Sequence, residues 1–542
     1  NSKFVAVQGP PGTGKSQTIV NLVSHLVANG KTVLVASRMD KAVDVVAERL
    51  NDLGASHMAL RAGRLNYQRQ LSEELNNLLS NNNGLDEGVE DILLVDTKDM
   101  KDHLDMLKNL ENKSENIIKL EKDWHDKMQE VEEQEKVIGT RDFIKSPLKK
   151  GEIDIISGII KVLENNIEKA GFFVKIANFA SLNQLKKILK LKDFEVNYEN
   201  LGKLKQELDF ANLEWSLRKI ESDIQKIGNL HMLSEQIRTM KRKQKTLAVN
   251  ILKSKRREAL KELLRDENKR RRLKIHSKSL VTNRKRLQNT ILEDEDFKPL
   301  LEAFPCWCVT TYAVSDSLPL KPGMFDVAII DEASQCDIAS CFPILFRAKR
   351  AVIVGDDKQL PHLSFLEKAK EQSFLSQYGI PEKYQLIWRF RTNSMFDLAN
   401  YYSTKPVLLD EHFRSYAPII DFSNKEFYGG KIKIMSNCDD NKVLELIHVR
   451  EGKVDSDMTR NMPEVEAIMQ RLQEIINEDE AKSGNKNYVP VSIGIISPFR
   501  GQVELIKRAL SQLYPDSLLR KHQLEVGTAH TFQGRSEEHT SE

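Results

Sequence analysis

The chain has 542 residues, room for several domains, and its 82 Lys and Arg nearly cancel its 79 Asp and Glu, leaving a net charge of +3. That near-balance says little about partners, so the placement of charge matters more than its sum. Five cysteines make no paired framework, which points to a reducing, cytoplasmic setting, and no run of about 18 apolar residues marks a membrane span.

The chain begins at Asn1 rather than Met, almost on its first strand, and is expected to be a fragment. Phe4-Val5-Ala6-Val7 is a short apolar run that suits a buried strand. Gly9-Pro10-Pro11-Gly12-Thr13-Gly14-Lys15-Ser16 follows, with the spacing Gly, four residues, Gly-Lys-Ser. Gln17 to Val27 then reads as a helix carrying Ile19, Leu22, Val23 and Leu26 on one face. Strand, glycine loop and helix gather a row of backbone N–H groups and a helix N-terminus around one anion. Lys15 is expected to reach the β- and γ-phosphates of a nucleotide, and Ser16 to hold Mg²⁺. Lys31 to Ser37 reads as a second strand and Lys41 to Leu53 as an amphipathic helix. This alternation predicts an α/β fold with a parallel sheet.

From about residue 64 to 300 the apolar strand runs vanish. Leu110, Ile117, Trp124, Val131 and Ile138 recur every seven residues. Leu230, Leu233, Ile237, Met240, Leu247 and Ile251 alternate at three and four, with Gln244 in the seam. Both series suit coiled-coil or long-hairpin helices, with shorter helices between them, so an inserted module with an antiparallel stalk is expected. Arg238 to Arg286 holds 20 Lys and Arg against 4 Asp and Glu. Such a field attracts a phosphate backbone, and it equally suits a solvated helix face; with few aromatics interleaved, base stacking is not supported there.

The sheet resumes near Cys306. Cys306 and Cys308 flank Trp307 with no second ligand pair at zinc spacing, so they read as small buried residues rather than metal ligands. A strand there ends in Thr310-Thr311. Phe325 to Ile330 is a buried strand ending in Asp331-Glu332-Ala333-Ser334-Gln335. An acidic pair at such a strand end sits beside the phosphate loop, where Asp331 can hold Mg²⁺ and Glu332 can polarise an attacking water. Ala351 to Val354 delivers Gly355-Asp356-Asp357-Lys358-Gln359-Leu360-Pro361 to the same edge, where Gln359 can bond a γ-phosphate.

With these motifs the chain resembles the superfamily 1 helicases, in particular the 1B branch that includes the RNA helicase of nonsense-mediated decay and related bacterial AAA-type ATPases. Two later stretches add to the resemblance: Leu409-Asp410-Glu411-His412-Phe413-Arg414-Ser415, running through Pro418 to Phe427-Tyr428-Gly429-Gly430, and Val526 to Gly534. It covers about residues 1–65 and 300–534. It implies two RecA-like P-loop domains with ATP between them. The first would be 1–65 with 301–405 and the second, truncated, 406–534, with a helical insertion at 66–300. Carried over, Gly9, Pro10, Pro11, Gly12, Thr13, Gly14, Lys15, Ser16 and Gln17 bind ATP. Ser16 and Asp331 hold Mg²⁺, and Glu332, Gln359 and Arg414 act on the γ-phosphate. Ser37, Thr310, Thr311, Thr528, His530 and Gln533 would grip the backbone of single-stranded DNA or RNA. Accessory modules at the insertion's place touch a duplex or a protein partner, and no membrane is implied.

The end departs from the family. After Phe532-Gln533-Gly534 the expected Glu and apolar strand are replaced by Arg535 to Glu542. That octapeptide reads as the translation of a sequencing adapter and is expected to be a non-native tail. The family's last motif, with its second arginine, and its upstream adenine-reading glutamine have no counterpart here. The chain by itself is therefore expected to bind ATP but to hydrolyse it and unwind poorly. A structural ATPase of the chromosome-organising type also places a coiled coil between phosphate loop and acidic strand. It would need an LSGGQ-like signature, and the sequence has none.

Overall fold

The structure is a computed structural model that describes residues 3–63, 65–80, 97–167, 172–281, 297–362, 364, 366–436, 443–456, 459–482 and 488–532. Gln533, the basic run Arg284-Lys285-Arg286 and the octapeptide 535–542 lie outside the described residues. The chain divides into two compact units, Asn1–Ile92 with Leu252–Glu542, and Leu93–Ile251.

In the first unit, one sheet is built from β1 (Phe4–Gln8), β2 (Val33–Ser37), β3 (Ala59–Arg61), β4 (Cys306–Thr310), β5 (Val327–Asp331), β6 (Ala351–Gly355) and β7 (Val407–Leu408). The seven strands run in the order β3-β4-β2-β5-β6-β1-β7, and every pairing is parallel. The fold is therefore α/β around a parallel sheet. β2, β4 and β5 are buried along their whole length, which is why their sequences are unbroken apolar runs rather than alternating ones. Successive side chains still point to opposite faces. Val33 and Val35 enter one core, with Ile19 and Val23 of α1 (Lys15–Ala28) and Val43, Val46 and Leu50 of α2 (Asp40–Asp52). Leu34 and Ala36 enter the other, with Leu71, Leu75 and Leu78 of α3 (Leu65–Leu79) and with Leu260, Leu263 and Leu273. Cys306 and Cys308 sit fully buried in β4, their sulfurs 3.9 Å apart.

The strand predicted from Lys31 starts at Val33, because the Thr32 N–H and hydroxyl donate to the Asp326 carboxylate at 3.1 and 3.4 Å instead of joining a ladder. β3 and β7 escape a sequence reading, since runs of three and two residues carry no periodicity. β7 lies just past residue 405 and completes the edge beside β1.

The unit Leu93–Ile251 is helical. Its elements are α4 (Thr97–Ile138), α5 (Lys150–Asn166), α6 (Phe172–Leu189), α7 (Tyr198–Ile227) and the first part of α8 (Leu230–Arg265). Trp124 Nε1 of α4 donates to Glu221 of α7 at 3.0 Å, and Arg141 just beyond α4 pairs with Glu214 at 2.6 Å. His103 meets the Met240 carbonyl of α8 at 2.9 Å, and Glu111 meets Lys241 at 3.0 Å. The order of these contacts makes α4 antiparallel to the returning helices. The turn after α4 is closed by Glu207, buried, whose carboxylate accepts the N–H groups of Asp142, Phe143 and Ile144 at 2.7–3.3 Å. Ile117 and Val131 of the seven-residue series are buried, as the spacing requires.

Part of the basic stretch is structural. Arg256 is buried and donates to the carbonyls of His57, Glu302 and Ala303 at 2.8–3.3 Å. Burial lowers its pKa to about 10, which leaves it charged near neutrality. Lys269, in α9 (Glu267–Val281), pairs with Glu302 at 2.7 Å. These two side chains are not part of a free positive face.

Beyond the large sheet, β8 (Glu411–His412) pairs with β9 (Lys433–Ile434), and β10 (Gly494–Ile496) pairs with β11 (Glu525–Gly527), both parallel. The helices Met462–Ala481 and Arg500–Leu513 close a small core on the latter pair through Val465, Leu472, Ile476, Ile506 and Val526. Among the described residues no helix is long and apolar enough to cross a membrane.

Candidate active site

A parallel sheet sends all its strand ends to one edge. Register places Ser37 beside both Thr310 and Asp331, and Gln8 beside Gly355. The loop from Gly9 to Gly14 leaves β1 at this edge. Gly9 N–H donates to the Gly355 carbonyl at 2.9 Å, and Thr13 hydroxyl closes the turn on the Pro10 carbonyl at 2.7 Å. Gly12 and Gly14 have φ of 74° and 76°, a region that costs a side-chain-bearing residue strain. Gly14, in the left-handed region, caps α1 with no side chain over the helix N-terminus, the end that favours an anion.

Lys15 is buried and folds back on the loop. Its Nζ donates to the Gly9 carbonyl at 3.1 Å and lies 3.4 Å from Glu332 Oε1. Ser16 is buried beside it, and Gln17 is exposed, donating to Asn21 at 3.0 Å. Across the edge, Asp331 is buried at the end of β5 and accepts the Glu332 N–H at 2.8 Å. Glu332 takes φ 49° and ψ 42°, a left-handed conformation without a glycine. That sharp turn brings two consecutive carboxylates to the same edge, the kind of strain that collects at functional sites.

Four buried oxygens at this edge have no hydrogen-bond partner among the described residues: Glu332 Oε2, Ser37 Oγ, Thr311 Oγ1 and Ser334 Oγ. Buried polar atoms of this kind are rare in a finished interior. A row of loop N–H groups, a buried Lys, a buried Ser and Asp, and an orphaned carboxylate oxygen fit a polyphosphate with its Mg²⁺ and an attacking water.

The segment around β8 covers the loop. Gly12, Gly14, Lys15, Ser16 and Gln17 line one cavity with Arg49 of α2 and with Phe413 and Arg414. Phe413 N–H donates to the Gly12 carbonyl at 2.9 Å. A Cβ on Gly12 would stand 2.5 Å from the His412 ring and 2.7 Å from Arg414 Cβ. Gly12→Ala is therefore expected to weaken nucleotide binding about tenfold or more in an equilibrium titration, from strain plus that collision. Unchanged affinity would mean the cavity is not the nucleotide site.

Gln359 donates from its amide to Asp356 Oδ2 at 3.0 Å, and the same oxygen accepts the Tyr428 hydroxyl at 2.7 Å. Asp356 is fully buried, and burial together with this hydrogen bond raises the Tyr428 pKa far above its usual range. The residue proposed to sense phosphate is thus tied, through one carboxylate, to the Phe427-Tyr428-Gly429-Gly430 stretch.

Two AAA-domain family models match this chain, one over residues 1–170 and 177–365 and the other over 391–539. The uncharacterized ATP-dependent helicase MG140 of Mycoplasma genitalium is 23% identical over 577 residues, which cover 92% of this chain and 50% of that protein. Helicase sen1 of Schizosaccharomyces pombe is 24% identical over 49% of this chain and 15% of its own length. The DNA replication ATP-dependent helicase/nuclease DNA2 of Gallus gallus is 29% identical over 39% of this chain and 18% of its own length. The chain belongs to the AAA-domain family. It spans about half the length of the first curated relatives it matches.

The residues expected to hold nucleic acid are placed unevenly. Ser37, Thr310 and Thr311 meet at one edge, and the Thr311 N–H donates to the Ser37 carbonyl at 3.0 Å. All three are buried, so their hydroxyls do not present an open surface. Tyr312, next in sequence, is 59% exposed there and bonds Asp337 at 3.3 Å. Thr528 follows β11 and its N–H is held by Thr531 Oγ1 at 3.2 Å, while His530 is exposed.

Three cavity or loop contacts escape the sequence reading. His412 and Phe413 sit in the motif that carries Arg414, but a motif match marks only its best-known position. Arg49 stands on an ordinary amphipathic helix and carries no signal at all.

Proposed function

We propose that this chain is the motor portion of an ATP-dependent helicase or translocase that works on single-stranded DNA or RNA. The observation that carries the reading is the meeting, in one cavity, of the phosphate loop and Arg414, from segments almost four hundred residues apart, with the Lys15–Glu332 pair behind them. We read residues 1–65 with 301–405 as one RecA-like domain, 406–534 as a second, truncated one, and 66–300 as a helical insertion open to a duplex or a protein partner.

In this scheme the loop N–H groups and Lys15 bind and orient the β- and γ-phosphates. Ser16 and Asp331 would hold Mg²⁺, which neutralises phosphate charge when bound. Glu332 takes a proton from the water as its oxygen bonds to the γ-phosphorus and the bond to the bridging oxygen breaks. Arg414 meets the charge that spreads over the transferring group. Lys15 and Arg414 lie on separate segments, so holding one nucleotide between them links its hydrolysis to their approach and separation. Ser37, Thr310 and Thr311 are buried, so among the described residues expected to grip a strand it is the Thr528 turn with its exposed His530 that would meet the backbone.

The test is steady-state ATP hydrolysis by the full-length protein, with and without single-stranded DNA or RNA, beside Lys15→Ala. Stimulation by one polymer, abolished by Lys15→Ala, is expected and names the track. Lys15-dependent hydrolysis that ignores both polymers would refute a nucleic-acid motor and favour a structural ATPase.

A further inference from the structure

His412 is 1% exposed and stands between the phosphate loop and the turn that carries Arg414. Its Nδ1 is 2.8 Å from the Pro11 carbonyl, and the Ser415 N–H donates to its Nε2 at 2.7 Å. A carbonyl can only accept and a backbone N–H can only donate, so the ring must carry its hydrogen on Nδ1 and leave Nε2 bare. Burial is the largest cause holding its pKa below the usual histidine value, with nearby Arg414 adding to it, which suits this neutral tautomer. The ring occupies the space that the missing Cβ of Gly12 leaves open. The Met435 N–H fixes the backbone of His412 at 2.8 Å from its carbonyl.

The consequence falls on the loop. Pro11 and Gly12 both turn their carbonyls to this segment, one to the imidazole and the next to the Phe413 N–H. A carbonyl facing a polyphosphate would repel it, so pinning both keeps these acceptors out of the anion site. The same ring holds Ser415, the neighbour of Arg414.

We propose that His412 is a positioning residue: a neutral imidazole that locks the phosphate loop in its anion-binding form and sets Arg414 in register with it. The proposal rests on reading this cavity as the nucleotide site. It assigns two separable duties to two nitrogens. Asn carries an amide nitrogen where Nδ1 stands, and Gln reaches the place of Nε2 with an amide oxygen.

Four forms of the chain are compared: wild type, His412→Asn, His412→Gln and His412→Leu. Hydrogen exchange of the Ser415 amide is followed without nucleotide, and affinity for a fluorescent ATP analogue is titrated. His412→Asn is expected to expose Ser415 to exchange about tenfold faster yet keep affinity within about twofold, because the loop contact survives. His412→Gln is expected to protect Ser415 and lose about tenfold in affinity, and His412→Leu to lose both. Unaltered Ser415 exchange in His412→Leu, or Asn and Gln variants that behave alike, would overturn the proposal. If the wild type fails to bind the analogue, the nucleotide reading fails, while Ser415 exchange still decides whether the imidazole holds this turn.

Discussion

Glu332→Gln is expected to keep ATP binding and to cut its hydrolysis by about 100- to 10,000-fold, the range that a general base contributes. The side chain is buried, with one oxygen 3.4 Å from Lys15 and the other without a hydrogen-bond partner among the described residues. Gln keeps the shape and can still accept from Lys15, but it cannot take a proton from water. The backbone strain at φ 49° is also unchanged, since Glu and Gln share it. A single-turnover assay beside an equilibrium titration in the full-length protein separates the two effects. Hydrolysis at the wild-type rate would remove Glu332 from the chemistry, and lost binding would make it a structural partner of Lys15 instead.

Arg414→Ala should lower kcat about 1,000-fold or more, as removal of an arginine directed at a transferring phosphoryl group does elsewhere. Arg414→Lys should recover little, because an ammonium cannot reproduce the planar fork of donors. Arg414 lines the same cavity as Lys15 and Ser16 although it lies almost four hundred residues along the chain. A transition-state role predicts that kcat falls while ATP affinity changes little. A loss confined to affinity would instead make Arg414 a ground-state phosphate contact like Lys15.

The parallel sheet and its phosphate loop were legible in the sequence because their signals are local. An apolar run of five residues, a glycine turn and an amphipathic helix are each complete within about thirty residues. The acidic pair after β5 was legible for the same reason, as a polar turn ending a buried strand. Of the seven-residue series, Ile117 and Val131 are buried, while Leu110, Trp124 and Ile138 are half-buried.

What the sequence could not supply is the company each residue keeps. Ser37, Thr310 and Thr311 match motifs that grip a strand, yet parallel register packs them against one another and buries them. Arg256 reads as one more charge in a basic run, yet three carbonyls hold it inside.

By itself, then, the sequence determined the α/β class, the phosphate loop and the order of strand-end motifs, since short-range patterning and turn chemistry decide these. Only the tertiary structure decided that Glu332 lies against Lys15 and that the His412 ring fits the gap left by Gly12. Those contacts join residues hundreds of positions apart. They depend on strand order and packing, which no local pattern encodes.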